Sequence, residues 1–248
     1  MAAALGADRW LCSFRLYGIS VWIVAGVEGR PFESGRGPAL RVGGEQRMGV
    51  AKLTDQNTIV PTSKYAHIER ERRYLLEDLP EGLTRASPHV QITDNYITGT
   101  RLRIRKIREP QSNKWTVKFT QKFPPNPTDF SRTMITNTYL TAAESEVLDV
   151  FEANEIRKNR YPYEFAGRKF SIDMFLGDLF GLVLAETSFD TDEELDTFAR
   201  PPFAIEDVTN NELFTGGQLS ISTFSEIREA WQRQRAVTEP LTGSCGDT

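Results

Sequence analysis

The stretch His67-Ile68-Glu69-Arg70-Glu71-Arg72-Arg73-Tyr74-Leu75-Leu76 sets two carboxylates two residues apart, with a cation two residues further on. Read as a strand, its side chains alternate between faces, so His67, Glu69, Glu71 and Arg73 share one side. A carboxylate pair facing one space can hold a hard divalent cation, because Mg²⁺ takes oxygen ligands and keeps positions open for water and phosphate oxygens. Arg73 could then reach such a phosphate. Taken alone, mixed charge in so short a run more often marks a solvated helix face, and the rest of the chain has to decide between the two.

Cations recur downstream with the same period. Residues 101–108 alternate basic and branched apolar side chains, a strand pattern with Arg101, Arg103 and Arg105 on one face and Leu102, Ile104 and Ile107 toward the other. After a loop over 109–114, Thr116, Lys118, Thr120 and Lys122 share a polar face while Trp115, Val117 and Phe119 face away. Two neighbouring strands thus present cations together.

The elements that must position these residues emerge from the remaining pattern. Residues 90–97 alternate loosely, and the Thr-rich segment 131–140 reads as a further strand. Thr141-Ala142-Ala143-Glu144 is a capping box, predicting a helix through about Asn154 with Val147, Leu148 and Phe151 as its apolar stripe. Residues 156–163 and 168–175 flank a hairpin turn at Ala166-Gly167, and 181–189 reads as a buried strand carrying Glu186. An acidic helix is expected over 190–198, stopped by Pro201-Pro202, and an amphipathic helix over 223–235. Segment 77–88, with Pro80, Gly82 and Pro88, is a connector, and 238–248 is expected to be a disordered tail.

The chain of 248 residues carries a formal net charge of −4, which suits one ordinary soluble domain with terminal extensions and argues against a dedicated nucleic-acid binder. Its two cysteines, Cys12 and Cys245, offer no disulfide framework or zinc spacing, so a reducing cytoplasm is the expected compartment. His67 and His89 are the only histidines, which removes most histidine-based triads and metal sites. Residues 1–47 differ in texture from the chain beyond Met48; they read as a disordered leader or as sequence upstream of the true start, with a signal peptide as the third reading. The apolar segment 16–27 is too short to span a bilayer, and residues 48–64 read as a lead-in.

The order of the pieces is an acidic Glu-x-Glu-x-Arg strand, an Arg-x-Arg-x-Arg strand, a Lys-rich strand, a helix, Lys158-x-Arg160, then strands bearing Asp173 and Glu186. In this it resembles the CYTH, or triphosphate tunnel metalloenzyme, superfamily over residues 65–222; that superfamily includes inorganic triphosphatases, thiamine triphosphatases and class IV adenylate cyclases. The resemblance implies an α+β fold, a closed antiparallel eight-stranded β-barrel with a few flanking helices. It also implies that Glu69, Glu71, Asp173 and Glu186 hold Mg²⁺ or Mn²⁺. Arg101, Arg103, Arg105, Lys118, Lys122, Lys158 and Arg160 would bind the phosphates, either Lys118 or Lys122 being the lysine of the family's third strand. Glu69, Glu71, Arg73 and Lys158 would carry the catalysis. The ending Glu206-Asp207-Val208-Thr209 and Phe214-Thr215-Gly216-Gly217 is similar to the closing segment of bacterial members.

Two departures stand out. Arg73 replaces the more usual lysine, and further acidic positions of the family are matched here by Met134, Thr136 and Ser188. The implied function is a metal-dependent triphosphatase acting on inorganic tripolyphosphate or an organic triphosphate. An adenylate cyclase and a non-catalytic polyphosphate or nucleotide binder are the alternatives. The expected partner is a triphosphate-containing small molecule, with no nucleic acid or membrane, the protein being a monomer or homodimer.

Overall fold

A computed structural model describes residues 11–16, 19–24 and 64–238. The chain divides into two compact units, 1–58 and 59–248. In the first, strands β1 (Leu11–Leu16) and β2 (Ile19–Val24) pair antiparallel as a hairpin, although no strand period is evident in that stretch of sequence. The leader, lead-in and tail readings otherwise lie outside the described residues.

The second unit is built from strands whose two faces differ. It contains β3 (His67–Leu76), β4 (Val90–Ile97), β5 (Leu102–Glu109), β6 (Lys114–Phe123), β7 (Arg132–Leu140), β8 (Ala153–Phe165), β9 (Arg168–Phe175), β10 (Val183–Ser188) and the two-residue β11 (Glu206–Asp207). The ladder order β3-β7-β6-β5-β4-β8-β9-β10 returns to β3 through β10–β3 pairing, so eight antiparallel strands close into a barrel. Closure removes both sheet edges and gives the charged strand faces a shared interior. On one side, β3 pairs first with β7 through residues 67–70 and then with β11 through Tyr74 and Leu75; β10 runs along its other side.

The loops obey local chemistry. Ala166 and Gly167 both have positive φ (51° and 77°), which makes the tight β8–β9 hairpin a two-residue turn of the kind that matches strand twist. Helix α1 (Ala142–Leu148) has the expected capping box, with Thr141 accepting from Glu144 N–H and Glu144 accepting in return. It ends six residues short of Asn154, because Ala153 already pairs with Ile97 and the chain must turn into β8. As a result Val147 (69% exposed) and Phe151 (51%) face solvent and form no core stripe. Helix α2 (Asp192–Thr197) is capped by Thr191, followed by α3 (Gly216–Leu219) and α4 (Phe224–Thr238). Segment 77–88 contains turns and no helix. Among the described residues no helix is long and apolar enough to cross a membrane.

The core has two parts. Tyr74, Leu76, Tyr161, Phe170, Ile172 and Met174 lie on outward positions of their strands and are covered by Leu79, Leu83, Phe198 and Phe203. Leu75, Ile156, Phe175 and Leu184 point inward and pack with Val208, Phe214, Leu219 and Ile227 from the C-terminal segment. Each of these four is two positions along its strand from a charged interior residue, namely Arg73, Lys158, Asp173 and Glu186. An apolar layer therefore abuts a charged one.

Candidate active site

Strand alternation decides which charges enter the barrel. On β3, Glu69, Glu71 and Arg73 line an interior cavity of about 380 Å³, while the intervening arginines face outward. There Arg70 donates to Asp192 of α2 and Arg72 to Asp207 of β11, fastening those elements to the wall. The cavity is also lined by Arg101, Arg103 and Arg105 from the β5 side, Lys118 and Lys122 of β6, Lys158 and Arg160 of β8, and Glu186 of β10. Unbroken pairing of residues 102–109 with 114–121 puts Ile107 on the arginine face and Lys106 outside, where it binds Asp149. The expected grouping of Ile107 with Leu102 and Ile104 is thereby corrected.

Most of these charges are paired across the ladders, and three carboxylates stand directly opposite an arginine in register. Asp94 faces Arg105, with Arg105 Nε and Nη2 donating to its two oxygens at 2.6 and 2.7 Å. Asp173 faces Arg160, whose Nε and Nη2 donate at 2.6 Å each, and Lys158 Nζ adds a bond of 2.5 Å. Glu186 faces Arg73, whose Nε donates at 3.0 Å, and receives Arg160 Nη2 at 2.5 Å. The fork-shaped, charge-assisted pairs at Asp94 and Asp173 hold a guanidinium plane as well as a charge. Burial alone would raise the Glu186 carboxyl, but Arg160 and then Arg73 hold it well below the ordinary carboxylate range. Burial likewise opposes ionisation of Asp94, and Arg105 and Arg103 overcome it and lower its pKa.

Other cations are less committed. Arg101 and Lys118 make no ion pair among the described residues; Arg101 lies over the Phe123 ring and Lys118 over that of Tyr139. Arg103 Nε has no hydrogen-bond partner and lies 3.6 Å from Asp94 Oδ1, while its Nη1 donates weakly to Tyr96 Oη at 3.5 Å. The cavity lining comprises eight lysines and arginines against four carboxylates. Such an excess of positive charge suits a polyanion.

Glu69 and Glu71 converge on one cation already. Lys122 Nζ donates to Glu71 Oε2 at 3.0 Å and to Glu69 Oε2. Two carboxylate oxygens meeting at one ammonium are a donor set that fits a hard divalent ion, with phosphate oxygens and water completing its shell. Among the described residues no group of three or more His, Cys, Asp or Glu side chains converges. Glu186 is turned to Arg73 and Arg160. Asp173 is 1% exposed, engages Lys158 and Arg160, and is not part of the cavity wall.

The remaining sequence-derived site residues, Glu69, Glu71, Arg73, Arg101, Arg103, Arg105, Lys118, Lys122, Lys158, Arg160 and Glu186, are all brought to this one cavity. On β7 the residues that line it are Thr133, Ile135 and Asn137, not Met134 and Thr136; Thr133 stands opposite Glu69. None is acidic, so the carboxylate deficit inferred from the sequence holds under the corrected register. Ser188 stands opposite Glu71 and lies outside this cavity. Asp94 and Tyr96 are lining residues that the motifs do not single out. The available signal is an aspartate in mid-strand, where that residue is depleted.

A closed antiparallel barrel thus gathers cations from several strands beside a carboxylate pair around one cavity. The closed eight-stranded antiparallel barrel is the fold expected from the sequence. No protein-family model matches the chain, and no curated protein matches it in sequence. Among solved structures it is similar to NE1496, described in one structure as a hypothetical protein (21% identity, TM-score 0.43, covering 62% of this chain and 99% of that one). A second structure describes NE1496 as an inorganic triphosphatase (20% identity, TM-score 0.43, covering 62% and 95%). It is also similar to PH1819 of Pyrococcus horikoshii OT3 (16% identity, TM-score 0.37, covering 69% and 91%).

Proposed function

We propose that this protein is a metal-dependent triphosphatase that hydrolyses the terminal phosphoanhydride of inorganic tripolyphosphate or an organic triphosphate inside the barrel. The observation that carries the reading is the enclosure of eight cationic side chains and the Glu69–Glu71 pair around one cavity. A polyphosphate is a chain of anionic groups, and cations placed on several walls can meet its oxygens together. Arg101, Arg103 and Lys118, the least committed cations, make the first phosphate contacts. Arg73, Arg105, Lys158 and Arg160, fixed by their carboxylates, offer preorganised charge where negative charge builds up during phosphoryl transfer.

Glu69 and Glu71 are the residues that would hold Mg²⁺ or Mn²⁺. Such an ion would supply positive charge that offsets repulsion between the phosphates and the attacking group. The enclosing wall limits the water around the phosphates and strengthens every interaction inside. Two cysteines without a disulfide framework support a reducing, cytoplasmic setting.

A panel of tripolyphosphate, thiamine triphosphate and nucleoside triphosphates, each with Mg²⁺ or Mn²⁺, tests the reading by its products. Orthophosphate release marks the hydrolase, and cyclic nucleotide with pyrophosphate marks a cyclase. Glu69→Gln should remove most turnover while triphosphate still binds; unchanged phosphate release by that variant would sink the proposal. A binding module without turnover is the second reading, favoured by the absence of any carboxylate among the lining residues of β7. Tight tripolyphosphate binding with no phosphate release under excess Mn²⁺ would select it.

A further inference from the structure

A carboxylate on the wall of an anion cavity weakens the attraction that the cavity exists to supply, and Asp94 is such a carboxylate. It lines the cavity, is 1% exposed, and takes both donors of one edge of the Arg105 fork. Its Oδ1 also lies 3.6 Å from Arg103 Nε. One carboxylate thus sits between the two guanidiniums that β5 sends into the lumen. Loss of attraction has to be offset by geometry. An arginine with a free side chain sweeps many rotamers and must be ordered by its ligand, whereas one gripped along an edge is ordered in advance.

We propose that Asp94 is a positioning residue of the phosphate site. It stays ionised and paired with Arg105 when ligand is bound, and so fixes the plane of Arg105 to match the spacing of successive phosphates, while its charge draws the neighbouring Arg103 to the same wall. Arg105 then offers the donors of its other edge, beside Arg103 on the same cavity wall. Asp94 touches no substrate in this arrangement. It converts general attraction for anions into selection for a phosphate chain of a given length. The proposal rests on phosphate binding in this cavity but not on turnover.

The test compares direct calorimetric binding of tripolyphosphate and pyrophosphate at low salt by the wild type, Asp94→Asn and Asp94→Glu. Removing the charge without changing the shape should leave pyrophosphate binding as tight or tighter. The preference for tripolyphosphate over pyrophosphate should fall by roughly tenfold, about the worth of one well-aimed hydrogen bond to a charged group. Asp94→Glu restores the charge on a longer stem and should not restore the preference. An unchanged preference in Asp94→Asn overturns the proposal, as does full recovery in Asp94→Glu, which would make charge alone the cause. A measurement on the wild type stands even if the variants do not fold. The hydrogen-bonded Nε–H resonance of Arg105 in arginine-labelled protein should persist when tripolyphosphate binds, and its loss would show that Asp94 lets go. Failure of the wild type to bind tripolyphosphate overturns both this proposal and the triphosphatase reading; binding with an unaffected Asp94→Asn overturns this one alone.

Discussion

Lys122 Nζ donates to Glu71 Oε2 at 3.0 Å while also engaging Glu69, so one ammonium serves both carboxylates of the acidic strand. Burial by itself would lower the lysine's pKa, but Glu71 and Glu69 raise it, and it remains charged in the neutral range. A divalent ion that takes these oxygens has to displace the ammonium.

Lys122→Met should therefore bind Mn²⁺ more tightly than the wild type in the absence of phosphate, by up to roughly thirtyfold if each of its two partly exposed pairs is worth up to ~1 kcal/mol. Electron paramagnetic titration of free Mn²⁺ measures this without reference to turnover. Equal or weaker binding by the variant would show that the carboxylates and the ion do not compete.

Asp173→Asn should lower stability by about 3 kcal/mol, because it leaves the buried Lys158 and the half-buried Arg160 with less compensating charge. Chemical denaturation measures the loss. The family resemblance implied a metal ligand at this position. A variant that keeps its denaturation midpoint and instead loses Mn²⁺ binding would favour that role over the structural one.

Stability should respond to acid through Asp94 and Glu186, both of which have depressed pKa values in the folded protein. A depressed carboxylate stabilises in full above its unfolded value near 4, and that contribution is lost as pH falls toward the folded value. The melting temperature should thus be insensitive to these two groups from about pH 5 to 8 and drop below about pH 4. Asp94→Asn should melt lower than the wild type at pH 7, with the gap closing as pH falls below about 4. A gap that stays constant from pH 7 to 3 would contradict this linkage.

Legibility in the sequence tracks amphipathic contrast. Strands β5 and β6 alternate charge with branched or aromatic residues, so their interior faces can be read apart from Ile107, whose side is set by strict ladder parity. Strand β7, Arg132–Leu140, mixes threonine, asparagine and apolar residues on both faces, and its pattern alone leaves the register one residue off. Ion pairing is not legible at all. Asp94 with Arg105, Asp173 with Arg160 and Glu186 with Arg73 are neighbours only once the strand registers are known. The Glu69–Glu71 pair can be found from spacing, but its lysine comes from another strand. The length of α1 escapes the sequence because the capping box fixes where a helix begins, and strand pairing by Ala153 fixes where it must end.

The seam of the barrel joins Leu76 to Val183 and Glu71 to Ser188, the first strand of the ring to the last. During synthesis β3 therefore emerges long before the strand that flanks it, and its row of unpaired backbone groups has to wait. Contacts so distant along the chain cost loop entropy before they return any stability. The acidic strand that opens the ring is consequently completed last. A nascent chain halted before β10 would carry Glu69, Glu71 and Arg73 on an open edge prone to pairing with other chains, with no lumen for them to face.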